Sequence, residues 1–80
     1  MMKIEIHLFA SLAKYLPENA KNKTCIIEIS DHSVISDLIK KMTLPDHAIK
    51  LIFLNGIHAS RTSVLKNGDR VGIFPPVGGG

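Results

Sequence analysis

The chain has 80 residues, of which 45% are hydrophobic and 5% aromatic, and ten Lys and Arg against seven Asp and Glu give a net charge of +3. This length fits one small domain with a mainly aliphatic core. The basic residues are scattered and aromatic residues are few, which argues against nucleic-acid binding. A lone cysteine, Cys25, excludes an internal disulfide, and neither a signal-peptide core nor an apolar run of membrane-spanning length occurs. We therefore expect a cytoplasmic protein without nucleic-acid or membrane partners.

The amino-terminal residues predict a strand followed by a short helix. Ile4, Ile6 and Leu8 alternate with charged and polar residues, which is the period of a half-buried strand. Phe9 falls on the polar side of that alternation. Residues 10–16 contain good helix formers and end before a proline, which cannot donate the N–H that a helix needs.

A second strand and the main helix follow a polar loop at 18–23. Residues 24–29 are rich in β-branched side chains and predict a strand with Cys25 on its inward face, where a thiol serves packing. Ser33 is the expected N-cap of a helix at 34–42, because apolar residues repeat there at helical spacing.

The second half of the chain predicts three strands joined by turns. The apolar run 49–54 suits a covered strand, and the Asn-Gly at 55–56 is a strong signal for a tight hairpin into a returning strand at 57–60. The Asn-Gly-Asp at 67–69 marks another turn before a last strand at 70–74. One main helix against four or five strands is an α+β two-layer domain, with the first and last strands side by side in its sheet.

The carboxyl-terminal residues form a distinctive segment. Pro75 and Pro76 favour extended backbone without internal hydrogen bonds, and Gly78, Gly79 and Gly80 then offer backbone without side-chain bulk. We expect a domain at 1–75 and a flexible Gly-Gly tail at 76–80 that inserts into a partner. A frayed terminus or a linker remnant is the alternative explanation of the glycines.

Three segments resemble the small subunit of molybdopterin synthase, within the ubiquitin-like β-grasp sulfur carriers. They are Leu-Phe-Ala at 8–10, Leu-Lys-Asn-Gly-Asp-Arg-Val at 65–71, and Phe-Pro-Pro-Val-Gly-Gly-Gly at 74–80. The order of elements and the length also match. The resemblance implies a β-grasp fold with a mixed four- to five-stranded sheet, one main helix and a short extra helix.

The resemblance also implies a chemistry in which partners act on the end of this chain. A ubiquitin-activating-like adenylyltransferase uses ATP to adenylate the carboxylate of Gly80, and sulfur then replaces the adenylate to give a thiocarboxylate. The tail residues Pro75, Pro76, Val77, Gly78 and Gly79 carry it into the large subunit of molybdopterin synthase. The chain itself would be no enzyme, with no bound cofactor and no catalytic site of its own.

Phe9, Phe74 and His58 are the candidate partner-binding residues. In the resembled family, aromatic residues at the places of Phe9 and Phe74 contact the large subunit, and a third apolar contact would fall near His58, which departs from that pattern. The alternative is that both phenylalanines cover a second small core under the short helix. The four histidines lack ligand spacing with one another or with Cys25, so no metal site is expected.

Other functions remain open from the residues. The same tail suits sulfur transfer for thiamin or another pathway, or ubiquitin-like conjugation to lysines. A β-grasp interaction module with an inert tail is a non-carrier alternative. Either a molybdenum or a tungsten cofactor would fit the resembled pathway.

Overall fold

A computed structural model describes residues 1–17, 20 and 23–76 and contains a five-stranded sheet in the order β2-β1-β5-β3-β4. The central strands β1 and β5 are parallel, and the other neighbours are antiparallel. The elements are β1 (Met2–Leu8), a 3-10 turn (Ala10–Tyr15), β2 (Thr24–Ile29), helix α1 (Ile35–Lys41), a second 3-10 turn (Asp46–Ala48), β3 (Leu51–Leu54), β4 (Ile57–His58) and β5 (Arg70–Phe74). The expected α+β architecture is confirmed, with the first and last strands side by side.

The core lies between one face of the sheet and helix α1. Every second residue of β1 and β5 points to this inner face. All of these side chains except Met2 are completely buried, together with two from the helix: Ile4, Ile6, Leu8, Val71, Ile73, Ile35 and Leu38. Burial of one such aliphatic side chain contributes about 1.5–3 kcal/mol. The alternate residues of the strands therefore form the outer face, which no helix among the described residues covers.

Helix α1 begins one residue later than expected, so the prediction of Ser33 as N-cap is wrong. The Ser33 hydroxyl donates to the Ser30 carbonyl at 2.7 Å, and the Ser33 carbonyl accepts the Leu65 N–H at 2.9 Å. These contacts hold Ser33 next to the turn at residues 31–32, and Val34, whose own backbone is extended, is the N-cap. The carboxylate of Asp37 accepts the Val34 N–H at 2.9 Å and closes the first turn from the other side.

The hairpin between β3 and β4 forms as expected, although its strands are shorter. Asn55 (φ 52°) and Gly56 (φ 82°) both have positive φ, as a type I′ turn requires. Strand β3 begins at Leu51 rather than at Ile49, because the Ile49 N–H still bonds to the Asp46 carbonyl, at 3.2 Å, and closes the 3-10 turn at Asp46–Ala48. Strand β4 ends at His58, since the chain turns back where the Ser63 N–H bonds to the Ser60 carbonyl at 3.1 Å.

The short helix after β1 is a 3-10 turn rather than an α-helix. Its residue Leu12 is buried and joins the main core. None of the helices in the described residues is long and apolar enough to cross a membrane.

Candidate functional site

Five aromatic rings form a continuous row on the outer face of the sheet, and we call it the aromatic row. Its members are, in order of contact, His7, Phe9, Phe74, Phe53 and His58. The register explains why they meet. His7 of β1 and Phe53 of β3 flank Gly72 of β5, and His58 of β4 pairs with Phe53, so four strands contribute to one level of the sheet.

The phenylalanines at the centre of the aromatic row are in close contact. The ring centroids of Phe9 and Phe74 lie 4.1 Å apart with planes 2° apart, and Phe53 meets Phe74 edge-on at 5.6 Å. His7 lies 6.2 Å from Phe9, and His58 lies edge-on to Phe53 at 5.8 Å. All three phenylalanines are half-buried, whereas His58 is exposed. Such aromatic pairs contribute about 0.5–1.5 kcal/mol beyond their burial.

Gly72 makes room for this arrangement. A Cβ atom at Gly72 would lie 3.3 Å from Cε2 of Phe9, which is tight for two carbon atoms. The ring of Phe9 can therefore lie against the backbone of β5 and reach Phe74. A groove of about 380 Å³ opens beside it, lined by the aromatic row without His58 and by Gly56, Arg70, Val71 and Gly72.

The candidate residues Phe9 and Phe74 lie on the face of the sheet opposite helix α1. Phe9 and Phe74 do not cover a second core under the short helix, because Leu12 is the buried residue of that turn. They lie together on the outer face, with His58 at the end of the same row. Their binding to a partner remains a prediction.

Phe53 belongs to the site but was missed by the sequence analysis, which treated it as part of an apolar strand. The turn residues of the hairpin would have been enough to place Phe53. A two-residue turn at Asn55 and Gly56 forces Leu54 to pair with Ile57 and Phe53 with His58. The buried Ile52 then places Phe53 on the opposite, outer face.

The expected tail begins at the edge of the aromatic row. The Phe74 carbonyl accepts the Lys50 N–H at 2.8 Å, so Phe74 is held in the sheet. Pro75 is buried and Pro76 is exposed, which puts the surface of the domain between these two residues. Val77, Gly78, Gly79 and Gly80 lie outside the described residues.

Other reactive groups are sparse in the described residues, 1–17, 20 and 23–76. No group of three or more His, Cys, Asp or Glu side chains there could hold a metal ion. Cys25 packs against the core from β2, and burial raises the pKa of its thiol. Nε2 of His7 lies 2.5 Å from the Glu5 carboxylate, a contact that turns the acid toward the aromatic row.

The sheet order and the single α-helix of the described residues, packed on one face, define a ubiquitin-like β-grasp domain. The chain belongs to the Mut7-C ubiquitin family, whose model matches residues 1–78. The expectation of a ubiquitin-like β-grasp protein is thereby confirmed. None of the curated proteins compared with the chain matches it.

Solved structures of similar fold include three informative relatives. A putative molybdopterin converting factor subunit 1 from Pyrococcus furiosus is 26% identical, with a TM-score of 0.73 over 96% of this chain and 100% of that one. Small archaeal modifier protein 1 from Haloferax volcanii is 24% identical, with a TM-score of 0.76 over 96% and 100%. A chain from the complex of subunits 1 and 2 of the Helicobacter pylori molybdopterin-converting factor is 21% identical, with a TM-score of 0.64 over 99% and 100%.

Proposed function

We propose that this chain is a sulfur carrier, the small subunit of a molybdopterin synthase, which donates sulfur from a thiocarboxylate on Gly80. The similarity to the Pyrococcus furiosus subunit, which extends over nearly the whole chain, supports this pathway. The sequence Phe-Pro-Pro-Val followed by three glycines supports it independently.

One observation carries the proposal, namely the double position of Phe74. It is the last residue of the central strand β5 and also a member of the aromatic row. A partner that docks on the row would therefore meet the chain where Pro76 leaves the domain. From Pro76 to Gly80, four extended steps of about 3.1 Å would give a reach of about 12 Å into that partner.

The proposed chemistry consumes ATP on the activating partner and needs no cofactor on this chain. The Gly80 carboxylate attacks the α-phosphorus of ATP, which releases pyrophosphate and leaves an acyl adenylate. Hydrosulfide then attacks the acyl carbon, the C–O bond to AMP breaks, and the products are AMP and the thiocarboxylate. Glycine suits both steps, since it brings no side chain into the narrow passage that an acyl carbon must enter.

The large subunit of molybdopterin synthase is the proposed acceptor, in a molybdenum or tungsten cofactor pathway. The Helicobacter pylori relative was solved in a complex of subunits 1 and 2, which supports a partner of this type. The proposal assigns docking to Phe9, Phe74 and His58, and insertion to Pro76, Val77, Gly78 and Gly79, which follow the buried Pro75.

The first test is ATP–pyrophosphate exchange by the cognate adenylyltransferase. The wild-type chain should stimulate exchange, because the acyl adenylate forms reversibly, and the chain lacking Gly80 should not. Absence of stimulation by wild type would overturn the proposal. Exchange followed by linkage of Gly80 to lysines, without a thiocarboxylate, would instead identify a modifier of the ubiquitin type.

A further inference from the structure

Charged side chains occupy the part of the outer face that lies away from the tail. Glu5 of β1 is in register with Arg70 of β5, and Lys3 of β1 pairs with Glu28 of β2. Arg70 precedes Phe74 by four residues, about 13 Å along an extended strand. The outer face thus changes from aromatic near Phe74 to charged at its far end.

Arg70 has no ion-pair partner among the residues that the structure describes, although two carboxylates flank it. Glu5, opposite in register, contacts His7 instead. The carboxylate of Asp69, the preceding residue, accepts hydrogen bonds from Nδ2 of Asn55 at 3.0 Å and from the Lys66 N–H at 2.8 Å. Both acids are committed to other groups, so the exposed guanidinium is left for a group from outside the chain.

The backbone of Arg70 is held firmly while its side chain borders the groove. Oδ1 of Asn55 accepts the Arg70 N–H at 2.9 Å, and the Asn55 N–H donates to the Arg70 carbonyl at 2.8 Å. Arg70 lines the same groove as Phe9, Phe53 and Phe74. A planar guanidinium on a fixed backbone can hold a carboxylate by two parallel hydrogen bonds.

We propose that Arg70 receives an Asp or Glu carboxylate of the large subunit that docks on the aromatic row, and that this ion pair selects the large subunit over other proteins. The inference rests on the proposed carrier function. The aromatic row supplies apolar contact that several partners could share, whereas a charge at the rim changes the association rate and penalises a partner with a like charge there.

The surrounding charges favour a protein over a nucleic acid. Glu5 and Glu28 lie on the same face as Arg70 and Lys3, so two acids offset the two bases and no continuous positive surface is left for a phosphate backbone. A protein can place its carboxylate opposite Arg70 and keep other acids away from Glu5. A nucleic acid, which carries a charge on every phosphate, has no such choice.

The first experiment measures association of the full chain with the large subunit of molybdopterin synthase by stopped-flow fluorescence over a range of salt concentrations. Arg70→Glu should lower the association rate about tenfold at low salt, and the difference should shrink as salt screens the charges. Lys41→Glu is the matched control, because it changes the net charge equally from the exposed end of helix α1, on the opposite side of the sheet. This control should change the rate less than twofold.

A second experiment identifies the partner's carboxylate. Arg70→Lys keeps the positive charge and allows a carbodiimide to couple the new amine to an adjacent carboxylate, which peptide mass spectrometry then locates. Replacing that partner residue by lysine should weaken binding of wild type and restore binding of Arg70→Glu. A coupled residue and a successful charge swap would support the proposal.

Several results would overturn the proposed role of Arg70, and they can be told apart from a failure of the carrier function. If wild type forms a thiocarboxylate but Arg70→Glu associates as fast as Lys41→Glu, only the role of Arg70 fails. If wild type neither binds nor is activated, the carrier function fails and the role of Arg70 fails with it. Arg70-dependent binding of a labelled single-stranded oligonucleotide, or Arg70-dependent self-association, would assign the guanidinium to another occupant.

Discussion

The ring of Phe9 stacks on the ring of Phe74 with centroids 4.1 Å apart and planes 2° apart. Phe9 follows the first strand of the chain, and Phe74 ends the last one. The parallel pairing of β1 with β5 brings these distant segments together, and the Phe9 N–H donates to the Ile73 carbonyl at 3.2 Å. The centre of the aromatic row is thus built on the two middle strands of the sheet, next to the point where the tail begins.

Replacing Gly72 by alanine should disturb the aromatic row without unfolding the domain. The new Cβ would lie 3.3 Å from Phe9 and displace its ring, whereas alanine in a strand gains about 0.5–1 kcal/mol over glycine from backbone entropy. We expect a stability change within about 1 kcal/mol, altered ring proton shifts of Phe9 and Phe74, and weaker binding to the large subunit.

Gly68→Ala is the control for this variant. Gly68 has a φ of 89° and open space around its Cβ position, so alanine there should lower the stability by strain alone and leave the ring shifts unchanged. Unchanged ring shifts in Gly72→Ala would contradict the close contact between Gly72 and Phe9.

Phe74→Ala should weaken docking more than folding. Phe74 is half-buried, so replacing it by alanine should lower the free energy of unfolding by about 1–2 kcal/mol. This is less than the roughly 3–5 kcal/mol lost when a fully buried aromatic residue is truncated. Ile73→Ala is the matched control, because the neighbouring side chain is fully buried and its truncation should cost about 2–5 kcal/mol. Urea denaturation and calorimetric titration with the large subunit measure the two effects. A Phe74→Ala variant that loses as much stability as Ile73→Ala and binds normally would assign Phe74 to the core.

Asn55 should prove sensitive to the choice of replacement. Its side chain bonds the Arg70 N–H and the Asp69 carboxylate, and its φ is 52°. Asn55→Gly loses both bonds but tolerates the φ, and should cost about 1–2 kcal/mol. Asn55→Ala should be about 1 kcal/mol less stable than Asn55→Gly, because the left-handed region of φ is unfavourable for alanine. Equal midpoints in urea for the two variants would show that the backbone conformation differs from this turn.

Cys25 should react slowly with iodoacetamide in the folded protein. Burial raises the pKa of the thiol, so at any pH below that pKa less of it is the reactive thiolate than in an exposed thiol. The rate should rise on unfolding in urea, and a Cys25→Ser variant should show no labelling at all. Equal rates in folded and unfolded protein would contradict the packing of Cys25 against the core.

The sequence predicted those features that depend on neighbouring residues. The alternation of Ile4, Ile6 and Leu8 gave the first strand, and the Asn-Gly pair gave the hairpin turn. The start of helix α1 was missed because the Ser33 carbonyl bonds to Leu65, a distant contact that no local pattern reports.

In the candidate site, too, the sequence predicted local features and missed those that depend on distant contacts. The outward position of Phe9 followed from the strand period, but its stacking on Phe74 needs the parallel pairing of β1 with β5 and the missing side chain of Gly72. The free guanidinium of Arg70 was equally hidden. It depends on where the carboxylates of Glu5 and Asp69 find their partners.

The central claim concerns Gly80, and intact-mass spectrometry after incubation with the cognate adenylyltransferase, ATP and a sulfur donor tests it most directly. Wild type should gain the mass of one oxygen-to-sulfur exchange, and fragmentation should locate it on Gly80. Deleting Gly80 shortens the reach by about 3 Å, several times the ~0.5 Å tolerance of a preorganised site, so that variant should gain nothing. A variant with one appended residue should also gain nothing, and both should unfold like wild type. Sulfur on Cys25, sulfur on the extended variant, or a natural chain that continues past Gly80 would contradict the proposed carrier mechanism.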